Sequence, residues 1–175
     1  MDRPAIDGLR GVKLPVTDLQ RSLTWYQQVF DVTPWYEFPD EDGVVRGVLC
    51  TVPGLVDSGL ALRENPDAAH GIAGFDPLNW HVVDLAALHD WASFLDAIEI
   101  GHSPVIEASL GWLLVFHDPD GIEHHLYTRT EHGIDHADRP GYGRPVPATQ
   151  ARSDGTGEAQ TVNRTDLGGG SPRVT

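Results

Sequence analysis

At 175 residues, 40% of them hydrophobic and 22% charged, the chain has the composition of one globular domain large enough to bury a proper core. Its formal net charge of −14 repels nucleic acid and anionic membrane, so neither is an expected partner; a cationic small molecule would be attracted, although most acidic surfaces serve only solubility. No run of about 18 apolar residues marks a membrane-spanning helix, MDRPAIDGLRG lacks the apolar stretch of a secretory signal, and the lone Cys50 has no partner for a disulfide, which together lead to a cytoplasmic expectation.

In chain order, GLRGVKLPVTDL alternates, with Val12, Leu14 and Val16 on one face of a strand and Gly11, Lys13 and Pro15 on the other. Thr17 or Asp18 then caps a helix, LQRSLTWYQQVF, whose Leu19, Leu23, Tyr26 and Phe30 recur at helical spacing. Three strands follow, WYEF, GVVRGVLCTV and SGLALRE, divided by the turns PDEDG and VPGLVD. The order then recurs. FDPLNWHVVDL is a strand with Leu78, Trp80 and Val82 on one face, and LAALHDWASFLDAI is a helix striped by Leu85, Leu88, Trp91, Leu95 and Ile98. HSPVIEA, GWLLVFHDP and GIEHHLYT complete the second set of strands. The chain therefore reads as an α+β protein with two βαβββ units, residues 8–65 and 73–130, in a single domain over residues 1–130.

Beyond Thr130 the texture changes to Gly, Pro, Ser, Thr and Arg. Residues 131–175 are expected as an extended tail. Its first part, 131–144, would drape over the domain on Ile134 and Tyr142. Residues 145–175 are expected to be disordered, because so few apolar groups cannot offset the entropy of ordering. The first 130 residues hold 20 acids against seven bases, and Lys13 is the only lysine in the chain.

The two βαβββ units, with VTDLQRSLTWYQQVF in the first and FHDPDGIEHHLYT in the second, resemble the vicinal oxygen chelate (VOC) superfamily over nearly all of residues 8–130. This is the glyoxalase, bleomycin-resistance and extradiol-dioxygenase fold. The resemblance implies two modules whose sheets curl into an open barrel, helices outside, a small-molecule ligand in the interior, and a homodimer. Lys13, Asn79, His81, Glu123, His125 and Tyr127 then face the interior, and His124 faces the helix layer as a packed or hydrogen-bonded histidine. Many metal-dependent members place a histidine at the start of the first strand of each module and a glutamate on the last strand. Those places here hold Gly11, Pro77 and His125. Glycine and proline offer no ligating side chain, so neither the usual metal nor another cofactor is expected. Glyoxalase I, extradiol dioxygenase and metal-dependent thiol-transfer activities are disfavoured on the same ground.

The catalytic candidates are Lys13, His125 and His81. A lysine stripped of water in an apolar pocket becomes a base or nucleophile, while the alternative is a structural ion pair with Glu107, Glu123 or an anionic ligand group. Histidine is the usual proton carrier near neutral pH. Asn79, Tyr127, Glu107 and Glu123 are candidates to contact substrate. His102 and His117, beside turns, are expected to be solvated, and Asp118 and Asp120 are turn formers first. Arg46 and Arg63 are candidates to clamp a carboxylate, but alternation leaves their facing open. Three functions follow. The first is a metal-independent lyase, isomerase or cyclase acting on a small carbonyl- or hydroxyl-bearing metabolite. The second is a bleomycin-resistance-type protein that sequesters a small molecule, and the third is a metal enzyme with relocated ligands.

Overall fold

Two runs of strand alternation meet two amphipathic helices, and the apolar faces of all four find one another. The structure, a computed structural model, describes residues 3–145. The first unit runs β1 (Gly11–Val16), α1 (Leu19–Phe30), β2 (Thr33–Pro39), β3 (Val45–Thr51) and β4 (Gly59–Glu64). A short helix, α2 (Pro66–Ile72), leads to β5 (Leu78–Val82), α3 (Leu85–Ala97), β6 (Ile106–Glu107), β7 (Trp112–His117) and β8 (Glu123–Thr128). The first sheet has the order β1-β4-β3-β2 and the second β5-β8-β7-β6. In each, the first strand pairs parallel with the last and the remaining pairs are antiparallel. The repeated βαβββ pattern is thus repeated topology. The sheets do not close into a barrel within one chain; they remain separate four-stranded sheets.

Caps explain where the helices begin and end. The Asp18 carboxylate accepts the Arg21 N–H at 2.9 Å and starts α1. Asp31, in the left-handed region at φ 52°, ends it. Asp84 starts α3 by accepting the Ala87 N–H at 2.9 Å.

One face of each sheet is apolar and carries the helices. Leu14, Val16, Leu60, Leu62, Val48 and Cys50 come from the first sheet, and Leu114, Phe116, Leu126 and Val82 from the second, into one shared core with Tyr26, Phe30, Leu88 and Leu95 of the helices. Each sheet therefore has a second face that this core leaves open. The α1 helix also joins the units by polar contacts. Asp120, in the β7–β8 turn, accepts from the backbone of Thr17 at 3.1 Å, from the Thr17 hydroxyl, from Ser22 Oγ at 3.2 Å and from Arg21.

Beyond β8 the chain returns over β6. The Tyr142 hydroxyl donates to the Glu107 carbonyl at 3.0 Å, and the Arg139 guanidinium sits 4.3 Å over the Tyr142 ring. Tyr142 is an anchor of this segment; Ile134 is not, being 46% exposed. Residues 146–175 lie outside the described residues, and with them nearly all of the stretch expected to be disordered. Among the described residues no helix is long and apolar enough to cross a membrane.

Candidate functional site

The register of the second sheet assembles a polar patch on its open face. Asn79 pairs with His125 and His81 with Tyr127 across β5 and β8, while Glu123 pairs with His117 across β8 and β7. Because side chains alternate, all six project to the side opposite Leu114, Phe116 and Leu126. His125 is the centre of the patch. Its Nε2 hydrogen-bonds Glu123 Oε2 at 3.1 Å, and its Nδ1 lies 3.2 Å from Asp76 Oδ2. The other oxygen of Glu123 lies 3.4 Å from His117 Nε2. The ring thus has a carboxylate on each side, and its own side chain is only 15% exposed. Beside it, burial and then the Asp76 charge push the Tyr127 phenol above its usual range, so Tyr127 is a hydrogen-bond donor rather than a phenolate.

His124, one residue away, points into the core. Its Nδ1 accepts the Trp80 indole N–H at 3.2 Å, and its Nε2 lies 3.0 Å from the Tyr26 hydroxyl. Trp80 can only donate, so the proton of the neutral imidazole is on Nε2. Tyr26 accepts it and donates in turn to Asp118 Oδ2 at 2.9 Å. Burial, then the charges of His117 and His125, hold the His124 pKa at about 3. Every polar atom of this line is satisfied, which is what permits it in the core. Asp118 also takes the Asp120 and Ile122 N–H groups on Oδ1, at 2.8 and 2.9 Å, and so sets the turn as well.

The open face of the first sheet differs in chemistry. Lys13, Ala61, Leu49 and Tyr36 form one row across it, and Pro15, Arg63, Gly47 and Phe38 the next. A cavity of about 360 Å³ lies on this face, lined by residues that include Arg10, Lys13, Phe38, Leu49, Ala61 and Arg63. Trp35 and Tyr36, on the edge strand, are 57% and 56% exposed.

The structure brings His125, His81, Asn79, Glu123 and Tyr127 to one face and leaves two candidates apart from them. Lys13 is on the open side of the first sheet, whereas His125 is on that of the second, and it is exposed rather than stripped of water, because its neighbours Gly11 and Ala61 are too small to cover it. Glu107 is on the wrong side of β6. Ile106, paired with Leu113, takes the open face, and Glu107 turns to Arg139 at 3.2 Å and His136 at 3.3 Å. His81 is exposed. His102, expected in solvent, is 15% exposed and lies 3.2 Å from Asp96; His117 is half exposed as expected. Arg46 bonds Asp40 at 3.0 Å and also Glu64, so of the two arginines only Arg63 reaches the open face. Asp76 went unnoticed in the sequence because it precedes β5. No periodicity in the sequence places it beside His125, because it lies outside the β5–β8 register.

A divalent metal at the positions to which the resemblance points does not fit these residues. Gly11 and Pro77 supply no donor atoms, and both ring nitrogens of His125 already face carboxylates. Among the described residues no three His, Cys, Asp or Glu side chains converge to hold a metal.

Comparison with known proteins agrees with this architecture. A glyoxylase/bleomycin resistance protein/dioxygenase domain from Frankia sp. EAN1pec is 21% identical with a TM-score of 0.55, covering 71% of this chain and 98% of its own. TnmS3, an antibiotic binding protein from Streptomyces sp. CB03234, is 19% identical with a TM-score of 0.59, covering 72% and 98%. A glutamate-to-glutamine mutant of the fosfomycin resistance protein FosX from Listeria monocytogenes, in complex with Mn(II) and 1S,2S-dihydroxypropylphosphonic acid, is 17% identical with a TM-score of 0.55, covering 70% and 93%. Identities this low speak to the fold alone. No curated protein sequence matches the chain. The model of one family matches residues 8–126, and the chain belongs to the Glyoxalase/Bleomycin resistance protein/Dioxygenase superfamily.

Proposed function

We infer that this protein is a metal-independent enzyme of its superfamily, carrying out acid–base chemistry on a small carbonyl- or hydroxyl-bearing molecule at the open face of the second sheet. The observation that carries the reading is His125 between Glu123 and Asp76, at 3.1 and 3.2 Å. A proton taken from a substrate carbon by the Glu123–His125 pair is shared between them, with Asp76 balancing the charge on the far ring nitrogen. The electron pair left on the substrate moves to its oxygen, where the Tyr127 hydroxyl donates a hydrogen bond. Asn79 and His81, flanking this pair in the register, orient the substrate. Return of the proton to another position gives an isomerase; loss of a leaving group gives a lyase.

Two further parts of the reading concern the setting. The edge strand β2 exposes Trp35, Tyr36 and Phe38, and a second copy of the chain would cover them, consistent with a homodimer that encloses the open faces. The buried, unpaired Cys50 suits a reducing cytoplasm.

The second reading is a sequestering protein of the bleomycin-resistance type. It is favoured by the exposed aromatics of the first sheet and by the likeness to an antibiotic binding protein. The separating experiment is a panel of small carbonyl and hydroxyl compounds. Those that raise the thermal midpoint are incubated with protein and the products weighed by mass spectrometry. Conversion by the native protein, lost in His125→Gln with binding retained, supports the enzyme. Bound compounds recovered unchanged would overturn it in favour of sequestration.

A further inference from the structure

The open face of the first sheet contradicts the charge of the whole molecule. The chain has 26 acids against 12 bases, yet the cavity on this face is lined by Arg10, Lys13 and Arg63 and by no carboxylate. Three arginines elsewhere are neutralised within the fold. Arg21 pairs with Asp120, Arg46 with Asp40 and Glu64, and Arg139 with Glu107. Among the described residues, none of the three cavity cations has such a partner. Three like charges at one mouth repel one another, and a shared anion relieves that repulsion.

The strands beneath them pack too closely to admit a side chain at three glycines. A Cβ on Gly11 would stand 2.6 Å from the Gly59 carbonyl oxygen, and one on Gly59 would stand 2.8 Å from Leu49 Cδ1. A Cβ on Gly47 would press on the Arg63 side chain, 3.1 Å from Cδ and 3.4 Å from Nη1, so the bare backbone at Gly47 is what lets the Arg63 chain lie across the face. Ala61 sits below Lys13, and Leu49 and Phe38 supply apolar walls.

We propose that this cavity binds an amphipathic anion: a small molecule whose aromatic or branched apolar body rests on Leu49, Ala61 and Phe38 while a carboxylate or phosphate-type group is held by Lys13, Arg63 and Arg10. The claim rests on the reading that the open faces hold a small molecule, and it names the class. Carboxylate and phosphate sources share the chemistry and are separated by the probes. The acidic exterior then sets no preference for cations at the site itself, because the local charge is of the opposite sign.

The test is calorimetric titration of the full chain with four probes of one shape: 2-naphthoate, 2-naphthyl phosphate, 2-naphthylmethanol and 2-naphthylmethylammonium. At least one anion is expected to bind tenfold or more tighter than the alcohol, and the ammonium weaker than both. The doubly substituted protein Lys13→Met, Arg63→Met is expected to bring anion and alcohol within threefold of each other. Both side chains are exposed, so an unchanged unfolding midpoint certifies the variant's fold. Equal binding of anion and alcohol by the native protein would overturn the proposal, as would an anion preference that survives the double substitution, or carboxylates of a second copy neutralising the three cations. The readout is binding without conversion, so it stands or falls separately from the acid–base reading.

Discussion

His124 should make the protein acid-sensitive by an amount that can be worked from its surroundings. It is fully buried, its ring bonded to Trp80 and Tyr26, and its pKa is held at about 3 against an ordinary 6.5. The folded value lies below the unfolded one, so between them the unfolded chain binds a proton that the folded chain refuses. Stability is therefore complete above the unfolded value and falls as the pH drops from 6.5 towards about 3. At about pH 5 the loss from this one group comes to roughly 2 kcal/mol, and at about pH 4 to roughly 3 kcal/mol. The assay is urea unfolding over this range for the native protein and for His124→Gln, which keeps polar atoms near Tyr26 and Trp80 but does not titrate. Other groups titrate in both proteins and cancel in the difference. The stability gap between the two should shift in the variant's favour by about 2 kcal/mol between neutral pH and about pH 5. Parallel pH curves would refute the reasoning.

Tyr26→Phe removes the hydroxyl that joins His124 to Asp118 and leaves two buried polar atoms without partners, at a cost of about 2–4 kcal/mol read as a lowered urea midpoint with an unchanged slope. Asp120→Ala breaks the tie between the β7–β8 turn and the start of α1 and should cost about 2–3 kcal/mol. Burial raises the Asp120 pKa, but the Thr17 hydrogen bonds, the Arg21 charge and Ser22 outweigh it and hold the carboxyl below its usual range. Its contribution is therefore present above the unfolded carboxylate value and disappears as acid protonates it in the folded state; the difference between native and Asp120→Ala stability should shrink below about pH 4. Burial pushes the Cys50 thiol up to about 11, so iodoacetamide at neutral pH should label it in denaturant and spare it in the folded protein; prompt labelling of folded protein would contradict its place in the core.

Strand alternation carried much of this fold, because a period of two assigns every residue of a strand to a face at once. Leu14 and Val16 go to the core and Lys13 away from it; His124 goes in and His125 out. The repeat supplied the topology. Failures came where alternation had little to act on. Only Ile106 and Glu107 of HSPVIEA form a strand, too short to phase, and Glu107 falls on the far side. Parity within a sheet also says nothing about how two sheets face each other; it assigns Lys13 and His125 to the open faces of different sheets and goes no further. Hydration was the other gap. Whether Lys13 is buried depends on what its row neighbours cover, and Gly11 and Ala61 cover little. Asp76 lies outside any strand, so its approach to His125 is a tertiary fact.

The central claim is that the His125–Glu123 pair moves a proton at carbon. Deuterium wash-in tests it without knowledge of the true product. Carbonyl compounds found to bind are incubated with protein in deuterated water, and exchange at the carbon next to the carbonyl is followed by proton NMR against buffer and against His125→Gln. At least one bound carbonyl should exchange faster with native protein than in buffer, with His125→Gln returning the rate to the buffer value. Exchange at the buffer rate for every bound carbonyl would contradict acid–base catalysis on this face and leave a protein that holds its ligand without changing it.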